Sequence, residues 1–218
     1  MSAPNKNPVK TRMRLLIAAS RIFAEKGFQE ATIAEICEQA ETNIASVNYH
    51  FRDKESLYLE AWRYAFNNEL RTHPPDGGVG PDAPAEQRLA GRIRSLIARI
   101  ADDRSYSFAI INKEMAQPTR LLPEILEKEI NPQRLQMLAL IRECLGPDTP
   151  DKHMQFCHAS IIGQVFHLLK MKHLQNSAQI PFKLLDMLDS NAFAEHVVQF
   201  SLAGIQAIRI QFEQDKKC

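Results

Sequence analysis

The stretch TNIASVNYHFRDKESL, Thr42 to Leu57, holds three consecutive side chains whose polar ends suit contacts to nucleic acid: Asn48, Tyr49 and His50. A carboxamide both donates and accepts, so Asn48 matches the N6 and N7 edge of adenine in the major groove. Tyr49 and His50 can donate to phosphate oxygens. The small residues Ala45 and Ser46 would let a helix N-terminus come close to base edges. Lys54 stands in the first turn of a following helix, where the helix dipole disfavours a cation. A phosphate held jointly by its ammonium and the helix amides would offset that cost. Thr32 could hold a phosphate at the start of an earlier helix. Two plainer readings stay open: Thr32 only caps its helix, and Lys54 is only a solvated lysine.

Positioning these groups takes four helices. Leu15, Ala19, Ile22 and Phe23 follow the spacing of one buried face, predicting a helix from about Lys10 to Lys26 that Gly27 ends, with Phe28 packing at the turn. Thr32-Ile33-Ala34-Glu35 has the form of a capping box, opening a short helix from Ile33 to Ala40 whose inward face is Ile33, Ile36, Cys37 and Ala40. Asn43 is a good N-cap for a third helix, Ile44 to Phe51, with Ile44, Val47 and Phe51 turned inward. Two short helices across a three-residue turn make a helix-turn-helix. Asp53 caps the next helix, Lys54 to about Arg71, with Leu57, Ala61 and Ala65 or Phe66 buried.

Beyond it, His73 to Ala85 reads HPPDGGVGPDAPA, the strongest breaker cluster of the chain and the predicted division between two lobes. The expected organisation is a DNA-reading lobe over 1–72 with its helix-turn-helix unit at 32–51, a Pro/Gly-rich loop over 73–86, and a larger helical domain over 87–218. Helices are predicted near Gln87 to Ala101, Ser105 to Met115, Leu122 to Leu145 with an interruption at Asn131-Pro132, Asp151 to Lys172, and Asn191 to Phe212. No stretch alternates as a strand does, so the class is all-α. The last two helices are apolar on more than one side, through Cys157, Ile161, Ile162, Val165, Phe166 and Leu169, then Val197, Val198, Leu202, Ile205 and Ile208. Such helices bury a second face, as against a partner subunit.

The 218 residues carry a net charge of only +1, so nothing global announces a polyanion partner. Locally, Lys6, Lys10, Arg12, Arg14 and Arg21 all precede the first acid, Glu25, and read as a short basic arm or as a solvated terminus. Cys37, Cys144, Cys157 and Cys218 are scattered, which fits a reduced chain. No apolar run approaches the roughly 20 residues of a membrane span, and MSAPNKNPVK has no secretory h-region, so a cytoplasmic protein is expected. The seven histidines form no i, i+4 pair and no HExxH, so no metal site is expected. No GxSxG, GxxxxGK[ST] or GxGxxG occurs, so neither an enzyme nor a cofactor is expected. Glu127 and Glu129 read as a solvated face.

Taken together, the amphipathic first helix with its Phe23-Gly27-Phe28 ending, then Asn48-Tyr49-His50-Phe51, Lys54-Glu55 and Leu57, resemble the TetR family of repressors over about Arg14 to Leu57. The family often has Gly-Val where this chain has Glu41-Thr42, and Gly at the position of Ala45. Glu41 must then enter the costly left-handed region or the turn must differ. Glu114-x-x-x-Pro118, Asn131-Pro132 and Ser160-Ile161-Ile162-Gly163-Gln164 are similar to the CecR-type branch.

The resemblance implies a homodimer that binds double-stranded DNA and senses a small molecule in its larger domain. The expected DNA-contacting residues are Thr32, Asn43, Ala45, Ser46, Asn48, Tyr49, His50 and Lys54. Dimerisation is expected through the helices near 151–172 and 191–212, setting two recognition helices about 34 to 36 Å apart on a palindromic operator. Phe108, Ile111, Met115, Met137, Phe166 and Met171 are candidate apolar lining of an effector pocket, or ordinary core. The rival readings are a helical protein-interaction module with a vestigial helix-turn-helix and an enzyme.

Overall fold

The computed structural model describes residues 8–176 and 189–215, without the side chains of 172–176. Lys6 of the basic arm, Cys218 and the side chains of Lys172 and His173 lie outside the described residues. Ten α-helices and one π-helical segment make up the described secondary structure, with no strand among them. They are α1 (Pro8–Glu30), α2 (Ile33–Gln39), α3 (Ile44–Phe51), α4 (Lys54–Thr72), α5 (Ala85–Ala101), α6 (Tyr106–Ala116), α7 (Leu122–Ile125), the π-helix Leu126–Ile130, α8 (Asn131–Leu145), α9 (Asp151–Asn176) and α10 (Ser190–Asp215). None is long and apolar enough to cross a membrane.

The chain forms two compact units: Met1–Glu69 with Asp103–Ile130, and Leu70–Asp102 with Asn131–Cys218. In the first, α1 packs on α2, α3 and α6. Leu15, Ala19 and Phe23 of α1 are wholly buried, as are Leu57, Tyr58 and Ala61 of α4. The Phe23 and Tyr58 rings meet edge to face at 4.7 Å, and Phe28 closes on Tyr58 at 5.1 Å. Trp62 stacks on Phe66 at 4.8 Å and donates its indole N–H to the Ser107 carbonyl. Gly27 ends the regular part of α1 at φ 78, ψ 178, a region open essentially to glycine alone.

Carboxylates fasten α4 to the later helices of this unit. Glu114, almost fully buried, accepts from the Tyr58 hydroxyl at 2.8 Å and from the Thr119 amide at 3.1 Å. Burial and that carboxylate push the Tyr58 phenol well above its ordinary range. Buried Glu69 accepts from both the amide and the hydroxyl of Ser107. Arg63 donates to Glu124 and Glu129 at 2.8 and 2.9 Å. Glu129 is therefore not part of a solvated face: the π-helix turns it back onto α4, while Glu127 stays exposed.

In the second unit α5 packs on α8, α9 and α10 around Leu89, Ile93, Ile97, Ile141 and Val197. The Pro/Gly segment is a run of turns, with Gly77 N–H donating to the Pro74 carbonyl and Gly78 N–H to the Asp76 carboxylate. It lies so close to α5 that a Cβ at Gly77 would come within 2.3 Å of the Gly91 carbonyl oxygen. Cys37, Cys144 and Cys157 are buried thiols in helices, and burial pushes Cys144 up to about 12.

Candidate nucleic-acid interface

Three caps set the helix-turn-helix. The Thr32 hydroxyl accepts from the Glu35 amide at 3.2 Å and the Glu35 carboxylate accepts from the Thr32 amide at 3.1 Å, completing the capping box. Lys26 adds an ion pair to Glu35, and with Thr32 holds that carboxyl below the usual range. After α2, Glu41 N–H donates to the Glu38 carbonyl and Thr42 N–H to the Cys37 carbonyl, which is a Schellman closure. Its C′ residue is Glu41, at φ 48. The turn thus keeps the geometry that glycine would favour, and Glu41 adopts the left-handed conformation at a cost of about 1 kcal/mol. The Arg14 guanidinium approaches both the Glu41 carboxylate and its carbonyl at 3.5 Å.

The third cap is Asn43, whose side-chain oxygen accepts from the amide and the hydroxyl of Ser46, both at 3.1 Å. Thr42 donates its hydroxyl to the same Ser46 oxygen at 2.9 Å. Thr32, Asn43 and Ser46 therefore have their side chains engaged in building the motif. At the far end Asp53 caps α4 by accepting from Ser56 N–H at 2.8 Å, which keeps its carboxyl low.

What α3 leaves facing outward is Ile44, Ala45, Asn48 and Tyr49, the last with 78% of its surface exposed. Val47 and Phe51 are buried beneath them. His50 is half-buried, edge to face with Tyr49 at 4.9 Å. Ile44 does not turn inward with Val47 and Phe51 as its spacing predicts. As the first residue of α3 it stands at the helix tip, beyond the reach of the packing below, and is 53% exposed. Arg52, exposed at the C-cap with φ 71, stands just past the end of α3 and was not among the expected contacts.

Lys54 is half-buried: its ammonium lies 4.7 Å above the Phe28 ring and donates to the Gln29 carbonyl at 3.4 Å. Burial lowers its pKa. The cation that the dipole argument singles out thus ties the end of α1 to the start of α4.

The six candidate effector residues divide between the units. Phe108, Ile111 and Met115 lie on α6 of the first, and Met137, Phe166 and Met171 on α8 and α9 of the second. Ile111 and Met137 are buried, Met115 and Phe166 exposed, Phe108 and Met171 intermediate. Among the described residues, two of the cavities lie within the second unit, and none of the six lines either. One, of about 390 Å3, sits between His73, Arg94, Ser95 and the start of α10. The other, about 140 Å3, is a groove between α9 and α10 lined by Phe156, Ser160, Gln164, Phe200 and Gly204. Among the described residues no cluster of His, Cys, Asp and Glu suits a metal ion.

Residues 15–61 match the model of bacterial regulatory proteins of the tetR family, and residues 85–205 match the C-terminal domain of the HTH-type transcriptional dual regulator CecR. The CecR dual regulator of Shigella flexneri is 30% identical over 166 residues, covering 72% of this chain and 74% of that protein. The transcriptional repressor AcnR of Corynebacterium efficiens is 27% identical over 126 residues, 58% of this chain and 60% of its own. The crystal structure of AibR in complex with isovaleryl coenzyme A and operator DNA shares the fold at a TM-score of 0.63 and 18% identity, over 87% of this chain and 97% of that one. The all-α fold and the helix-turn-helix agree with these matches, which are to transcriptional regulators and not to enzymes. The chain belongs to the TetR family of bacterial transcriptional regulators, with a C-terminal domain of the CecR type.

Proposed function

We propose that this regulator is a homodimeric repressor that binds a palindromic operator through α3 and leaves it when a small molecule binds the second unit. The observation that carries the DNA reading is the outward face of α3: a helix fixed at both ends by side-chain and backbone caps, with Ala45, Asn48 and Tyr49 left over for external contact. Asn48 reads adenine, Tyr49 and His50 donate to flanking phosphates, and Lys54 holds a phosphate while seating α4. Thr32, Asn43 and Ser46 contribute by shaping the helix ends that face the backbone.

Dimerisation is proposed through α9 and α10. Phe156 and Phe200 are 60% and 63% exposed there, beside the small residues Ser160 and Gly204. Exposed aromatics around a shallow groove suit an isologous interface in which each copy fills the other. Effector release draws support from the 390 Å3 cavity, which is within the size range of small-molecule sites. AibR, whose structure holds both a small molecule and operator DNA, supports a small-molecule site on this fold. Of the six expected lining residues, Met137, Phe166 and Met171 belong to the same unit, and none of them lines this cavity. Action on DNA places the protein in the cytoplasm.

The test is selection of binding sites from random DNA by the purified protein, with sedimentation of the complex. Two copies on an inverted repeat support the proposal. A monomer that binds a palindrome tightly, or the absence of any enriched sequence, overturns it. Transcript levels in a deletion strain then give the sign: a rise at genes beside the selected sites supports repression.

A further inference from the structure

Ile44 is a branched aliphatic side chain on the outward face of α3, 53% exposed at the tip of the helix. The helix could have buried it: Ile44 is i−3 to Val47 and i−7 to Phe51, both buried. Instead the Asn43 cap and the Ser46 and Thr42 hydroxyls occupy the base of that first turn, and Ile44 projects past them at the tip. At about 100° per residue, Asn48 follows Ile44 one turn on and about 40° round α3, with Ala45 and Tyr49 in the row beside them. The polar group suited to adenine therefore has a branched aliphatic side chain directly one turn before it.

An isoleucine forms no hydrogen bond to any base edge. Set against the amino group of cytosine or the N7 and O6 of guanine, it would strip water from polar groups and return nothing. The one apolar group that base pairs display in the major groove is the C5-methyl of thymine. We infer that Ile44 is a specificity-determining residue that reads a thymine methyl in each half-site, next to the adenine read by Asn48. The inference rests on the proposed role of α3 as the base-reading helix and adds a second letter to what that helix recognises.

The experiment uses the full-length protein and the site it selects from random DNA, and replaces each thymine in turn by uracil, which removes the methyl and keeps every hydrogen-bonding group. Loss of one buried methyl corresponds to about a fourfold fall in affinity. At one position per half-site the wild-type protein should bind the uracil form about fourfold more weakly. Ile44→Ala should bind the thymine and uracil forms equally, Ile44→Val should keep part of the discrimination, and Leu135→Ala, at an equally exposed residue of α8, should keep all of it. Thermal melts of the variants should match wild type, since Ile44 is half in solvent. If wild type binds its site and no thymine is methyl-dependent, or if Ile44→Ala still discriminates fully, the inference is wrong while the DNA reading stands. If wild type selects no sequence at all, the DNA reading fails and this inference with it.

Discussion

The recognition helix and the last two helices solve opposite problems. α3 has eight residues, too few to be stable alone, and the chain surrounds it with fixed contacts: the Asn43 cap, the Schellman turn before it, and the Asp53 cap after it. Its polar side chains divide into those that build the helix and those left for an external surface. α9 and α10 have 26 residues each, and these helices leave Phe156 and Phe200 exposed. The first region is completed from within its own chain and the second is left apolar on the outside. A reader must be rigid before it meets DNA, whereas a dimer face gains from burying what one copy cannot cover.

The contrast breaks most visibly at the proposed dimer face. Changing Phe156 and Phe200 together to aspartate is expected to yield monomers in sedimentation and to lower operator affinity by more than a hundredfold, with the melting of the single chain little changed. Dimers that persist would move the interface elsewhere.

Within the first unit the buried carboxylates are expected to matter more than any surface pair. Glu114→Ala leaves the Tyr58 hydroxyl and the Thr119 amide without their acceptor and should cost about 2 kcal/mol in urea unfolding. Lys54→Ala should cost about 1 kcal/mol through loss of the Phe28 and Gln29 contacts. It should also flatten the salt dependence of binding by about one unit on every sequence. A variant with unchanged stability would remove the seating role, and one with an unchanged slope would remove the phosphate.

A smaller effect sharpens the account of the turn. Glu41→Gly should raise stability by about 1 kcal/mol, because glycine takes φ 48 without penalty, and an unchanged melting midpoint would mean the turn carries no strain. Glu35 gives the acid dependence. Its folded pKa lies below the unfolded value, so its contribution is present above the ordinary carboxylate range and is lost as pH falls through the folded value. Melts of Glu35→Gln should show a shallower decline on the acid side than wild type.

Much of this was legible in the sequence because it depends on neighbours in the chain. The capping box at Thr32, the end of α1 at Gly27, the caps at Asn43 and Asp53, and the conflict at Glu41 all follow from residues within a few positions of each other. What distance along the chain hides is different. Periodicity put Ile44 inside because it measures angle around a helix and says nothing about where the helix ends. Lys54 is out of place by the helix dipole alone, but the Phe28 ring and the Gln29 carbonyl that seat it lie about 25 residues earlier. Glu129 looked solvated until a π-helical turn aimed it at Arg63, 66 positions before it. The joining of residues 103–130 to the first four helices depends on contacts of the same long range.

The outward face of α3 is proposed to read sequence and not merely to adhere to DNA. Affinities of Asn48→Ala for the selected site and for random DNA of equal length, at one salt concentration, test it most directly. Asn48→Ala should lose at least tenfold on the selected site with binding to random DNA unchanged. Equal losses on both would show that Asn48 contacts the backbone, and that the sequence is read elsewhere.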